Sequence, residues 1–340
     1  MLFAASESNA SFVDLDVPVY AWGALVAVLA LMLAVDLFRH RDDHEPSPAE
    51  AFRESLGWVT CGLAFGGVLL FAFGGDAFGE YMSGYVIEKA LSVDNVFVWS
   101  MLFTAMAIPL KFQHRVLFWG IFGALTMRAL FIGLGSALIA KFWWVLLIFG
   151  VFLVYTGIKI VRHRNDEESA EQGSKGLALV RRVIPVTDTF DGHKFLTRQN
   201  GRRVATPLFA ALVVVELTDL IFAVDSVPAI LAVSREPFLV FSSNAFAILG
   251  LRAMYFLLAD AKEKFHYLSH ALGFILVFVG LKMIVAHWFH LNTFISLGII
   301  LGTLAVAIYL SIRHNKANGD GPSESSGAKP GESALAASSH

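Results

Sequence analysis

Five carboxylates stand out for where they fall: Glu88 and Asp94 in one apolar stretch, and Glu216, Asp219 and Asp225 in another. Carboxylate, amide and backbone carbonyl oxygens are the donors that hard divalent cations take, so this set offers to bind magnesium, calcium or manganese. No cysteine or histidine accompanies the acids, which argues against zinc and copper, and a multiply negative group repels anions. An ionised side chain at the middle of a membrane helix costs about 2.5 to 3.5 kcal/mol, so the five acids together cost roughly 12 to 18 kcal/mol that partners or water must offset. The competing reading is a set of buried ion pairs with Lys89, Arg128, Lys159, Arg252 and Lys282. Several of these bases sit on later helices and are candidate counter-charges for an ion-free state.

Spacing constrains how the acids are presented. Glu88, Ser92 and Asn95 lie at i, i+4 and i+7 on one helical stripe, and Glu216 and Asp219 are i, i+3 neighbours. Asp94 follows Glu88 by six residues, about 120° around an ideal helix, and Asp225 stands likewise to Asp219. Either the helix breaks between the acids or each aspartate faces a different neighbour. Pro228 favours a break in the second stretch, because it cannot donate to the Val224 carbonyl and would leave that oxygen free beside Asp225. The first stretch has Phe97 at the equivalent position. His266 with His270, at i, i+4, form a weaker metal pair, and His287 and His290 flank Trp288 as an interfacial belt.

The elements that must carry these residues are membrane helices. Hydrophobic residues make up 56% of the 340 and charged residues 16%, against about 25% charged in soluble domains. That profile argues against a soluble enzyme, a disordered chain or a fibre, and no HExxH or GxSxG signature points to an intramembrane enzyme. The net charge of -2 gives no pull toward nucleic acid. A single cysteine, Cys61, excludes an internal disulfide framework. Nine stretches are long enough to cross ~30 Å of hydrocarbon, near residues 17–38, 56–75, 81–106, 114–138, 142–161, 207–233, 238–259, 268–286 and 294–312. With the N-terminus outside, the inner connections hold 19 Lys and Arg and the outer ones only Lys141 and Arg235, which sets the C-terminus inside.

The chain repeats itself. E-K-A-L-S-V-D-N at 88–95 is echoed by D-L-I-F-A-V-D-S at 219–226, F-G-A-L-T-M-R-A-L-F at 122–131 by F-A-I-L-G-L-R-A-M-Y at 246–255, and L-V-Y-T-G-I-K-I-V at 153–161 by L-V-F-V-G-L-K-M-I at 276–284. The order is kept and the offset is nearly constant, so a duplication of three-helix units is expected. An odd number of spans inverts the second copy, the architecture of secondary transporters whose site lies at the midplane between repeats. The expected organisation is a tail with two peripheral helices over 1–80, a first repeat over 81–161 and a cytoplasmic linker over 162–206. A second, inverted repeat follows over 207–286, then a final helix over 287–312 and a disordered tail over 313–340.

The motifs at 88–95 and V-E-L-T-D-L-I-F-A-V-D-S-V-P-A, continued by S-S-N-A-F-A-I-L-G-L-R-A-M-Y-F-L-L, resemble the TerC family of integral membrane proteins, including its Alx type. The likeness runs from about residue 17 to 312. It implies kinship with transporters similar to the LysE superfamily, an association with tellurium resistance by name and, in the Alx branch, manganese export. By that resemblance Glu88, Asp94, Asn95, Glu216, Asp219, Asp225 and Ser226 are the metal-handling residues. The expectation is a multi-pass all-α protein of the plasma or inner membrane, with no prosthetic group, that exports Mn2+ by alternating access, with protons as a coupling ion. Its rivals are a non-transporting scaffold in tellurium or metal stress and a LysE-like exporter of cationic solutes, for which Phe97, Trp99 and Phe222 would supply cation–π contacts.

Overall fold

A computed structural model gives the fold and describes residues 13–39, 47–142, 144–162, 182, 184–187, 189–199, 202–258, 267–285 and 291–317. Among the described residues ten helices and one hairpin follow in order: α1 (Val19–Arg39), α2 (Pro48–Phe73), α3 (Gly75–Ala105), α4 (Leu110–Lys141), α5 (Trp144–Arg162), β1 (Leu196–Gln199), β2 (Arg202–Ala205), α6 (Pro207–Leu231), α7 (Pro237–Leu249), α8 (Leu251–Leu258), α9 (Leu268–Val285) and α10 (Thr293–Ala317). The protein is an all-α polytopic membrane protein. Among the described residues seven helices are long and apolar enough to cross a bilayer, and α7 with α8, bent by 42°, make an eighth if the pair is one span. The remaining expected stretch, 81–106, falls on α3, which is 31 residues long. Asp76, Glu80, Glu88, Lys89 and Asp94 are spread along it so that no stretch of bilayer length is free of charge.

Local chemistry sets the ends. A capping box opens α2, with Ser47 Oγ accepting from the Glu50 amide at 3.3 Å and Glu50 Oε2 accepting from the Ser47 amide at 2.8 Å. Gly74, at φ +90°, lets the chain turn from α2 into α3 without a Cβ penalty. Pro207 occupies the first turn of α6, where its missing N–H costs nothing.

Burial is arranged for a lipid solvent. Phe71 at 91% exposure and Tyr155 at 67% stand on the outside, whereas α3 buries Tyr81 and Tyr85 against α2 and Phe103 against Tyr255 of α8. A second apolar cluster joins α5, α6 and α9. The α5 and α9 helices cross through glycines: a Cβ on Gly157 would meet the Gly273 carbonyl at 2.6 Å, and one on Gly280 the Gly150 carbonyl at 2.7 Å. The echo at 153–161 and 276–284 pairs Gly157 with Gly280, and its offset of 123 pairs Gly150 with Gly273. Exchanging the two helices therefore maps this crossing onto itself. Likewise α3 packs along α7 as α4 packs along α6.

The expected break in the second stretch is corrected, and the alternative, each aspartate facing a different neighbour, holds there. Both α3 and α6 run unbroken past their acids. Pro228 lies in the last turn of α6, where few hydrogen bonds remain to be lost, so it does not interrupt the helix between Asp219 and Asp225. The break falls instead at Gly250, between α7 and α8.

Candidate functional site

With continuous helices, the roughly 120° between paired acids sends each aspartate to its own neighbour. Asp219 faces α4 and Asp225 faces α5. The meeting point is Arg128 of α4, whose side chain is 1% exposed. Its Nη1 donates to Glu88 Oε1 on α3 and to Ser226 Oγ on α6 at 2.9 Å, and its Nη2 donates to Asp219 Oδ1 at 3.4 Å. The planar fork of a guanidinium is what lets one cation hold three groups on two other helices at once. Glu88 also accepts from Asn244 Nδ2 of α7 at 3.2 Å and from Ser92 Oγ at 3.5 Å. Four helices are thereby joined through one fully buried pair, Glu88 and Arg128.

The remaining acids surround this knot. Glu216 lies against Gly123 of α4, where any Cβ would collide with its carboxylate, and it interacts by charge with Asp219. Thr156 of α5 hydrogen-bonds Asp225, and Lys159 interacts with it by charge. Asn95 is buried on α3. Asp94 lies on α3, but its side chain is outside the described residues. The structure thus brings together Glu88, Asp219 and Ser226, with Glu216 beside them, and sets Asp225 apart. Among the described residues, Glu216 Oε2, Asp219 Oδ2, Asp225 Oδ1 and Arg128 Nε are buried without a hydrogen-bond partner. Buried polar atoms of this kind are rare enough to require a cause, a ligand or ion being one. Among the described residues no three His, Cys, Asp or Glu side chains converge closely enough to hold a metal ion, because Arg128 stands between Glu88 and Asp219.

The expected bases divide. Arg128 bridges two acids, whereas Arg252 pairs with Asp36 of α1 at 2.5 Å, Lys89 donates to the Ala247 carbonyl at 3.1 Å, and Lys282 interacts with Glu80. Glu80 is itself buried on α3 and accepts from the Val13 amide at 2.8 Å and from Ser234 Oγ at 2.6 Å. Sequence reasoning passed over Asp36, Glu80 and Asn244. Asp36 and Glu80 sit at the rims of apolar stretches, where acids are ordinary, but the polar run S-S-N inside the stretch 238–259 was a visible signal for Asn244. His270 is exposed at the start of α9, and His266, His287 and His290 lie outside the described residues.

This combination of spanning helices and a charged intramembrane centre defines a polytopic membrane protein with a built polar site inside the bilayer. The chain belongs to the integral membrane protein TerC family, whose model matches residues 73–318. It is 47% identical over 292 residues to the uncharacterized membrane protein STKORF319 of Myxococcus xanthus, covering 86% of this chain and 91% of that one. It is 44% identical over 313 residues to Alx of Escherichia coli (strain K12), whose name describes a membrane-bound redox modulator, covering 88% of this chain and 97% of that one. An uncharacterized membrane protein of Rickettsia bellii is 37% identical over 295 residues, covering 86% and 97%. No solved structure matches the chain.

Proposed function

We propose that this protein is a transporter that exports a divalent metal cation, Mn2+ before Ca2+ or Mg2+, by alternating access. The observation that carries the reading is the knot of Glu88, Asp219 and Arg128 joining helices from both halves of the chain, with carboxylate oxygens left unpartnered around it. Structural packing alone seldom places so many acids at the centre of a bundle, since each is costly there. The self-mapping of the α5 and α9 crossing supports two inverted repeats, the architecture in which substrate sites lie between the halves.

In this reading Arg128 is the resident counter-charge of the ion-free state. A dication entering from the Lys- and Arg-rich cytoplasmic side displaces the guanidinium from Asp219 and Glu88, and takes oxygens from Asp94, Asn95, Glu216 and Ser226 as the halves rock. Asp225, tied to α5, binds the ion on the way through. Protons compete for the same carboxylates and supply coupling. The orientation is N-terminus outside and C-terminus inside in the plasma or inner membrane, the protein being a carrier rather than an enzyme. The Alx relative's name as a redox modulator fits a carrier of a redox-active ion, and manganese is the redox-active member of the three candidates.

The test is manganese efflux from loaded proteoliposomes. Asp219→Asn, Asp94→Asn and Asp225→Asn are each expected to lower the rate at least tenfold with the protein still folded; undiminished efflux in all three would end the reading. The rival reading, a non-transporting scaffold in the metal or tellurium response, predicts no flux in the parent protein and copurification of a stoichiometric protein partner.

A further inference from the structure

The hairpin β1–β2 lies outside the spans and does nothing for the intramembrane site, yet it is firmly built. Phe190 and His193 pack on Phe112 at the start of α4 with ring centroids 5.4 and 5.1 Å apart, and Arg115 covers the Phe195 ring at 5.2 Å. The Thr206 amide donates to the Phe195 carbonyl at 2.9 Å and its hydroxyl to the Lys194 carbonyl at 2.8 Å. The hairpin is thus held against the first turns of α4 and leads directly into α6, at the ends where both apolar spans begin.

Its outer face is unusual. In the antiparallel register Arg198 stands directly opposite Arg203, and like charges so placed destabilise a strand pair. Both are exposed, and among the described residues neither forms an ion pair. The nearby acid Asp191 is taken by Lys194 at 3.1 Å and Thr197 at 2.7 Å. Two residues along the strand from Arg198, on the same face, Leu196 is 51% exposed. Lys111 and Arg115 stand exposed at the end of α4 on which the hairpin rests.

A pair of opposed arginines beside an exposed leucine, at the ends of two membrane spans, is complementary to an acidic phospholipid: the phosphate answers the repelling charges and the leucine meets the acyl boundary. We infer that the paired strands β1 and β2 are a docking surface for acidic phospholipids of the adjoining leaflet, which fixes the linker against the membrane. This inference is independent of what the protein carries.

The experiment uses the full chain with Cys61→Ser and Gln199→Cys, a fluorophore on the new thiol, in vesicles of phosphatidylcholine with phosphatidylglycerol. Quenching by brominated phosphatidylglycerol is compared with quenching by brominated phosphatidylcholine at equal mole fraction. The anionic quencher is expected to be favoured at least about fivefold, since each basic residue near an anionic surface contributes about that factor. Arg198→Gln/Arg203→Gln should abolish the preference, and Arg198→Lys/Arg203→Lys should retain it, because a surface potential reads charge rather than the guanidinium shape. Equal quenching by both lipids, a preference that survives the glutamine pair, or one lost in the lysine pair would each overturn the inference. So would loss of the preference on adding inorganic phosphate alone at constant ionic strength, which would assign the face to a soluble anion.

Discussion

Replacing Arg128 with methionine keeps most of the side-chain volume and removes the charge. Glu88 then retains Asn244 and Ser92 but loses its counter-ion, and Asp219 loses the hydrogen bond to its Oδ1. Because Arg128 is 1% and Glu88 0% exposed, water cannot replace the lost partner, and breaking a buried pair from one side costs about 3 to 5 kcal/mol. A pair open to solvent would cost about 0 to 1 kcal/mol. Adding Glu88→Gln removes one of the two stranded charges, so the double variant should be less destabilised than the sum of the singles, with a coupling of about 2 to 3 kcal/mol. Reversible unfolding in mixed micelles for the parent, both singles and the double measures this cycle. A single-variant cost below about 1 kcal/mol, or additivity within about 0.5 kcal/mol, would refute the placement of Arg128 at a dry junction. Arg128→Lys should fall between, since an ammonium keeps the charge but cannot span Glu88, Asp219 and Ser226 together.

Other outcomes follow from the packing. Gly157→Leu should splay α5 from α9, because even a Cβ there meets the Gly273 carbonyl at 2.6 Å; the thermal midpoint should drop well below that of Gly298→Ala, where nothing lies within 4 Å. Tyr81→Phe removes the hydroxyl that donates to the Gly62 carbonyl at 2.9 Å and should cost about 1 kcal/mol in the same unfolding assay. Thr197 and Lys194 hold the exposed Asp191 carboxyl below its usual range. A carboxyl lowered on folding stabilises above its unfolded value, about 3.9, and that contribution is lost as pH falls through the lower folded value. Amide exchange in 194–199 should therefore quicken, relative to that in α4, only below about pH 4, and Thr197→Val should remove the step.

Hydropathy and the positive residues made the membrane class legible, because a helix that crosses lipid is predominantly apolar over about 20 residues and that pattern is local. The acids at 88, 216, 219 and 225 announced themselves by the same rule, as costly residues in oily stretches. The count of spans was less legible: α3 carries five charged residues, and that Glu80, Glu88 and Lys89 among them meet protein partners and not lipid is a distinction that only packing draws. Helix continuity was misjudged at Pro228 because a proline's effect depends on how much helix follows it, and here α6 ends at Leu231.

What the sequence determined by itself is the solvent, the family and the identity of the unusual polar groups, all consequences of residue type and spacing along one chain. What the tertiary structure alone decided is how those groups are shared. Arg128 and Arg252 occupy matching places in the echoed segments, yet one binds Glu88 and Asp219 at the centre while the other binds Asp36 at the periphery. A charge takes the nearest opposite charge in space when water is excluded, and nearness across four helices is not written in any one of them.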